Sequence, residues 1–355
     1  MTTPHDSPAS LVVERFAQQR AAGKRHKDAA RAIGVSEGEA IAAHAGLGGQ
    51  AIEATPLRGP WLELLQGLEP CGPLLALTRN ESTVHEKTGP YQKLSGSGHV
   101  ALALGELIDL RLFFNHWHAG FAVREGSSLS LQFFDSHGTA VHKVFAREAT
   151  DRVALEALIA KHAGPGQAVS FTPAAPKAAH KPDGAIDASA LSGAWGQMKD
   201  THEFFGLLKK FEVERQQSFR LTEGEFTHRA RKSAVRDLLH EAAFDGTPIM
   251  VFVGSPGCIQ IHTGPVQRIE PMEMHGMQWL NVLDPDFNLH LREDLIDAVW
   301  IVEKPTSDGV VTSVEAFDHA GELMAMFFGA RKPGKPELQE WRSIVAKLPR
   351  MEATA

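Results

Sequence analysis

Cysteine is almost missing from this 355-residue chain: Cys71 and Cys258 are the only two, and they have no CxxC or zinc-ligand spacing. That excludes a disulfide framework and a cysteine-built metal site, and reduced thiols are the simplest reading. Tyrosine is scarcer still, with Tyr91 alone against 18 histidines. A ligand site therefore has imidazole to offer far more than phenolate. No apolar run approaches the ~20 residues that span a bilayer. The opening MTTPHDSPAS has neither the basic stretch nor the apolar run of a signal peptide, so a cytoplasmic protein without membrane insertion is expected. A basic excess is lacking as well, and the net charge of −7 argues against general nucleic-acid binding. There is no GxGxxG, Walker loop, GxSxG elbow or HExxH, which removes dinucleotide dehydrogenases, P-loop NTPases, α/β-hydrolases and zincins.

What is present is an ordinary globular composition in a chain too long for one typical domain. Residues 1–9 are polar and expected to be disordered. A helix is predicted from Leu11 to Ala21. Arg25–Ala43 reads as two short helices around Gly34-Val35-Ser36, with Ser36 as N-cap and Glu39 closing a capping box. The pair has the outline of a DNA-binding helix-turn-helix, but its second helix is acidic and small, and such hairpins are common packing units. After a helix at Trp61–Gln66 come strands at Leu74–Thr78, Thr83–Lys87, Val100–Leu104, Leu107–Phe113, Gly120–Arg124, Leu129–Phe134 and Val141–Phe145, then a helix at Asp151–His162. An Ala/Pro/Gly-rich linker at 164–187 separates an N-terminal repeat, 1–163, from a C-terminal one, 188–355. The second half opens with a helix over Leu191–Phe211, followed by helices at Val213–Phe219 and Ala230–Ala243. Strands follow at Pro248–Val253, Cys258–His262, Val266–Ile269, Trp279–Val282, Asn288–Arg292, Ala298–Lys304, Val310–Phe317 and Leu323–Phe328, and a helix at Pro336–Lys347 closes the chain.

The two β-rich stretches repeat each other. Thr88-Gly89-Pro90 matches Thr263-Gly264-Pro265, Asp109-Leu110-Arg111-Leu112 matches Asn288-Leu289-His290-Leu291, and Phe134-Asp135 matches Phe317-Asp318. Two copies suit a pseudo-twofold pair rather than a solenoid. Successive strands with segregated helices predict an α+β fold with internal duplication, two large antiparallel β-sheets and flanking helices.

Several residues stand out as candidates. In Leu191–Phe211 the apolar Leu191, Trp195, Met198, Phe205 and Leu208 recur at helical steps, with His202 in the same inward-facing stripe. A lone histidine there is most simply a core residue with a backbone partner. In Asp109–Phe114, alternation puts Arg111 and Phe113 on one face. Arg215, Lys304 and Arg331, taken singly, read as solvated charges, and Asp308 and Gly309 as turn residues.

The strings KDTHEFFGLLKK, ALTRNESTVHEKTGPY, DLRLFFNHW, NVLDPDFNLHL and KPTSDGVVTS, with FFGARKPG near the end, closely resemble the HemS/ChuS/PhuS/HmuS family of cytoplasmic haem-handling proteins, nearest to its PhuS-like trafficking type. The likeness spans nearly the whole chain. It implies haem b (iron protoporphyrin IX) in a cleft between a helix and a sheet at the repeat junction. It further implies His202 as the axial iron ligand, Arg111 on the distal side with Phe113 beside it, and Arg215, Lys304 and Arg331 near the propionates. Phe328 stands where some members have a propionate-bonding tyrosine. Glu203 and Phe205 stand where trafficking-type members carry extra histidines. The implied function is a carrier that receives imported haem from an inner-membrane haem ABC transporter and delivers it to a haem oxygenase. An alternative is a haem-degrading enzyme driven by an external reductant, with Arg111 as its catalytic residue. A haem-dependent regulator using the N-terminal helix pair on DNA is a third reading.

Overall fold

The computed structural model describes residues 8–164, 169–176, 179–274, 276–331 and 334–351. The expected disordered terminus thus falls largely outside the described residues, as do positions 165–168 and 177–178 of the expected linker. Among the described residues, no helix is long and apolar enough to cross a membrane. The chain divides into two compact units: residues 1–79, 85–175 and 254–260 form the first, and residues 80–84, 176–253 and 261–355 form the second.

The first unit opens with α1 (Pro8–Ala21), α2 (His26–Ala32) and α3 (Glu37–Ala42), and adds α4 (Trp61–Gln66) and α5 (Arg152–His162). Its strands are β1 (Ile52–Leu57), β2 (Pro73–Arg79), β3 (Thr83–Pro90, from residue 85), β4 (Leu94–Ser97), β5 (Val100–Leu104), β6 (Asp109–Phe113), β7 (Ala119–Glu125), β8 (Ser128–Phe134) and β9 (Ala140–Ala146). The second unit has α6 (Ala188–Gly196), α7 (Glu203–Phe211), α8 (Arg215–Leu221), α9 (Ala234–Asp245) and α10 (Gln339–Lys347). Its strands are β10 (Thr227–Ala230), β11 (Ile249–Ser255, up to residue 253), β12 (Cys258–Gly264, from residue 261), β13 (Ile269–Met274), β14 (Met277–Leu283), β15 (Phe287–Arg292), β16 (Ile296–Thr306), β17 (Gly309–Asp318) and β18 (Leu323–Gly329).

The α+β class and the two large antiparallel sheets are as the sequence pattern predicts. The order β1-β7-β8-β9-β2 in one unit recurs as β10-β16-β17-β18-β11 in the other, and the ribbon β4-β5-β6 recurs as β13-β14-β15. Every strand number advances by nine, the structural form of the duplication read from the sequence. The same turn closes both central hairpins. Asp135 Oδ1 accepts from the backbone N–H of His137 and Thr139, and Asp318 Oδ1 accepts from those of Ala320 and Glu322. Each turn needs a left-handed residue before it re-enters the sheet, and Gly138 and Gly321 supply it at φ 76° and 77°.

Side-chain alternation explains why helices flank both faces of these strands. In the second unit, Trp300 and Val302 of β16 pack under α6–α8 with Leu191, Trp195, Phe204 and Phe219. Val299 and Ile301, pointing the other way, pack with Leu238, Leu239, Trp341 and Ile344 of α9 and α10. In the first unit, Phe121 and Val123 meet α1–α3, whereas Ala122 lies in the core built with α4 and α5. The capping box at Ser36 forms as expected: its hydroxyl accepts from Glu39 N–H at 3.2 Å, and its own N–H donates to the Glu39 carboxylate at 2.7 Å.

Candidate functional site

The helix expected over Leu191–Phe211 is in fact two, α6 and α7, with the chain turning between Gln197 and His202. Asp200 makes the break. Its Oδ1 accepts the backbone N–H of His202 at 2.8 Å, an Asx turn that competes with helix continuation. Lys199 O then accepts the N–H of Ser307 at 2.9 Å, which ties the turn to the β16–β17 hairpin. The break resets the helical phase. Phe204 and Leu207 become the buried residues of α7, while Phe205, expected in the core stripe, is 77% exposed.

His202 is likewise not the inward-facing core residue that periodicity suggested. It is the N-cap of α7, with a side chain 92% exposed. Its Nδ1 lies 2.6 Å from Asp200 Oδ1. The backbone N–H of His202, and then the ring, hold the Asp200 carboxyl below its usual range. A carboxylate can only accept, so this contact places a proton on Nδ1, and in the neutral ring it is the exposed Nε2 that carries the lone pair. Along the same side of α7, at steps of three, four and seven, come Phe205, Gly206 and Lys209, all exposed. A Cβ at Gly206 would have no neighbour within 4 Å, so a flat ligand meeting Nε2 would find that side of the helix clear.

Behind this face, Phe204 packs edge-on against Trp195 with ring centroids 4.7 Å apart. Two cations lie over its ring, Lys304 Nζ at 4.8 Å and Arg215 Cζ at 5.1 Å from the centroid. Both bond to one carboxylate that sequence reasoning missed. Glu315, fully buried, accepts from Arg215 Nε and Nη2 at 2.7 and 2.8 Å and from Lys304 Nζ at 3.1 Å. Ser313 adds a hydroxyl donor to the same oxygen at 2.9 Å. Burial alone would raise the Glu315 carboxyl, but Arg215 and Lys304 hold it at about 2. Burial pulls Lys304 down to about 8 against the attraction of Glu315. Neither cation is the solvated charge that its local sequence suggests. One carboxylate answers two cations, and the surplus positive charge reaches the surface along the partly exposed Arg215.

Arg331 donates to Asp308 at 3.2 Å; Asp308 sits in the β16–β17 turn as expected, whereas Gly309, also expected there, is the first residue of β17 and pairs with Thr306. Phe328 lies opposite Ser313 in the β17–β18 ladder and packs on Phe252 at 5.0 Å. Met250, Phe252, Met326 and Phe328 alternate along β11 and β18 as a half-buried apolar strip on the face that carries Glu315. The second unit thus holds His202, Arg215, Lys304, Phe328 and Arg331 on connected elements around α7 and this sheet face.

Arg111 and Phe113 belong to the first unit. The β6 side chains alternate as predicted, with Leu110 and Leu112 buried and Asp109, Arg111 and Phe113 half-buried on the other face. The Arg111 guanidinium pairs with the Asp109 carboxylate and also donates to Leu110 O at 3.2 Å. Burial raises the Asp109 carboxyl, with Arg111 opposing it. The duplicated position in β15 is His290, held by Asn281 at 2.7 Å.

The first unit repeats the frame around Glu315 with its charges rearranged. Glu37, first residue of α3 as Arg215 is of α8, pairs with Lys143 of β9, both buried. Counting back two residues from the matched Phe134 and Phe317 gives Gln132 where the second unit has Glu315. His26 is a histidine near the start of α2, but it is packed on Phe16 and bonded to Glu125 at 3.1 Å, unlike the exposed His202.

Comparison with known proteins agrees with this duplicated architecture. A family model described as "Haemin-degrading HemS.ChuX domain" matches twice, over residues 34–162 and 212–348, and His202 falls between the two matches. The hemin transport protein HmuS of Yersinia pestis is 38% identical over 348 residues, covering 96% of this chain and 97% of that protein. The crystal structure of apo-PhuS, a heme-binding protein from Pseudomonas aeruginosa, superposes with a TM-score of 0.92 at 44% identity, covering 97% of this chain and all of that one. That of ChuS from Escherichia coli O157:H7, described as a heme degrading enzyme, gives 0.87 at 35% identity, covering 96% and 99%.

Proposed function

Because this chain belongs to the HemS family, we propose that it binds haem b through His202 and passes it on as a carrier. The observation that carries this reading is an exposed imidazole whose Nδ1 is already held by a carboxylate, so that Nε2 is the nitrogen open to a ligand. Neutral imidazole is a standard axial ligand of haem iron. The residues present fit that cargo. Phe205 and the strip Met250–Phe252–Met326–Phe328 offer apolar surface, Gly206 keeps the approach open, and the surplus charge at Arg215 suits a propionate. Lys304 shares the Glu315 carboxylate with Arg215 and so leaves part of the Arg215 charge uncompensated, whereas Arg331 is paired with Asp308.

Delivery from an inner-membrane haem transporter to a haem oxygenase fits a ligand displayed at an exposed helix start, where a partner can reach it. A second reading, reductant-dependent haem cleavage by the chain itself, is favoured by the likeness to ChuS and by the Arg111 guanidinium. That group can donate hydrogen bonds without ever losing its proton. Adding haemin to the purified protein and to His202→Ala tests the ligand assignment, and an unchanged Soret band and affinity in the variant would sink it. Aerobic reduction of the haem complex with catalase present separates the two roles. Nonspecific bleaching leaves the carrier, and a single regiospecific tetrapyrrole product makes it an enzyme. In the enzyme case Arg111→Ala abolishes that product while haem affinity is retained.

A further inference from the structure

We infer that Asp200 is the positioning residue of the haem site: its carboxylate fixes the direction of the His202 ring, selects the tautomer that leaves Nε2 free to bind iron, and strengthens Nε2 as a donor. This rests on the reading of His202 as the ligand and adds what makes it one. The ring is almost wholly solvent-exposed, so packing does not orient it. An imidazole in that situation samples several rotamers and both neutral tautomers.

One oxygen removes both freedoms. Asp200 Oδ1 accepts the backbone N–H of His202 at 2.8 Å and faces its ring Nδ1 at 2.6 Å. The backbone that carries this carboxylate is anchored on both sides. Asp200 O accepts the N–H of Glu203 at 3.1 Å, and the preceding Lys199 O accepts that of Ser307 at 2.9 Å. A carboxylate that accepts the Nδ1 hydrogen bond draws the ring toward imidazolate character, which makes Nε2 a stronger donor to iron and favours ferric over ferrous iron. The same contact reads as simple helix capping if only the backbone bond matters, so the test must separate the charge from the cap.

Asp200→Asn does so, because the amide oxygen can still cap His202 N–H while the negative charge is lost. Asp200→Ala removes both. With haemin-loaded protein, the readouts are the Fe–His stretching band of the ferrous complex by resonance Raman, the ferric/ferrous midpoint potential and haem affinity. The expected result is a lower Fe–His frequency and a higher midpoint potential in Asp200→Asn, with haem affinity falling by about 10–100-fold in Asp200→Ala. If Asp200→Asn has the wild-type band and potential while His202→Ala loses the band, Asp200 is only a cap and the inference fails with the ligand assignment intact. If His202→Ala keeps the band, the ligand assignment fails and the role of Asp200 goes with it.

Discussion

Glu315 binds Arg215 through two parallel hydrogen bonds, 2.7 and 2.8 Å long, although the carboxylate itself has no solvent exposure. A pair of that geometry is strong only while both partners are present, because either ion left alone in the interior is uncompensated. Glu315→Gln should therefore lower unfolding stability by roughly 3–5 kcal/mol. Urea denaturation followed by tryptophan fluorescence would show this, and a loss below about 1 kcal/mol would mean that the cluster contributes little.

The same carboxylate gives stability an acid limb. Its folded value of about 2 lies below the ordinary 4.5. As pH falls from 4.5 toward 2, the unfolded chain takes up a proton that the folded chain refuses, and stability drops. The full displacement is worth about 3 kcal/mol. Glu125, held at about 2 chiefly by its bond to His26, acts in the same window. The difference between wild type and Glu315→Gln isolates the Glu315 part, and the variant's stability should fall less steeply with acid. Lys304 acts at the other end: between about 8 and its ordinary 10.5 the unfolded chain holds the proton longer, so this group adds stability as pH rises. Equal acid limbs in the two proteins would refute the assignment to Glu315.

Gly206 lies inside α7 with open space where a side chain would be. Glycine there weakens the helix by about 1 kcal/mol relative to alanine. Gly206→Leu should raise apo-protein stability while weakening haemin binding by about tenfold, equivalent to ~1.4 kcal/mol. Thermal melts of the apo-protein and haemin titrations measure the two effects. Unaltered binding would show that the approach to His202 lies elsewhere.

His202→Ala should fold like the wild type. The ring is 92% exposed and its hydrogen-bond partner is Asp200, and surface changes of this kind usually stay within about 0.5 kcal/mol. An apo-protein melt unchanged alongside a lost Soret shift would assign the spectral loss to ligation. A large drop in stability would show that the imidazole has a structural task.

Much of the fold was legible because duplication doubles every signal. The Phe134-Asp135 and Phe317-Asp318 turns, the capping box at Ser36 and the alternation around Arg111 all appear where local chemistry puts them. The misses have physical causes too. The strand Ile52–Leu57 contains Pro56, and Leu94–Ser97 is short and rich in Gly and Ser. Both read as loop until a neighbouring strand supplies the pairing. Ile269–Met274 carries Pro271 and is largely exposed, so the expected strand at Val266–Ile269 was set too early.

At the site itself, periodicity ran past the break in Leu191–Phe211 because the apolar residues on either side happen to keep helical spacing. Asp200 was the available warning, since an aspartate that accepts the backbone N–H two residues on forms an Asx turn and competes with helix continuation. Glu315 left no such trace. Within Val314–Phe317 a glutamate reads as facing solvent, and only the arrival of α8 and β16 from elsewhere in the chain brings it two cations.

The exchanged charges of the two units have a consequence for their ancestry. Duplicated coding segments recombine, and one copy can overwrite the other. If the segment for β8 and β9 replaced that for β17 and β18, Arg215 would meet a lysine at the position of Met326 and a glutamine at that of Glu315. Arg215, Lys304 and the incoming lysine would then have no carboxylate among them, and the protein would fold poorly. Selection against such molecules would keep the halves from becoming alike again and leave them free to diverge in what they bind.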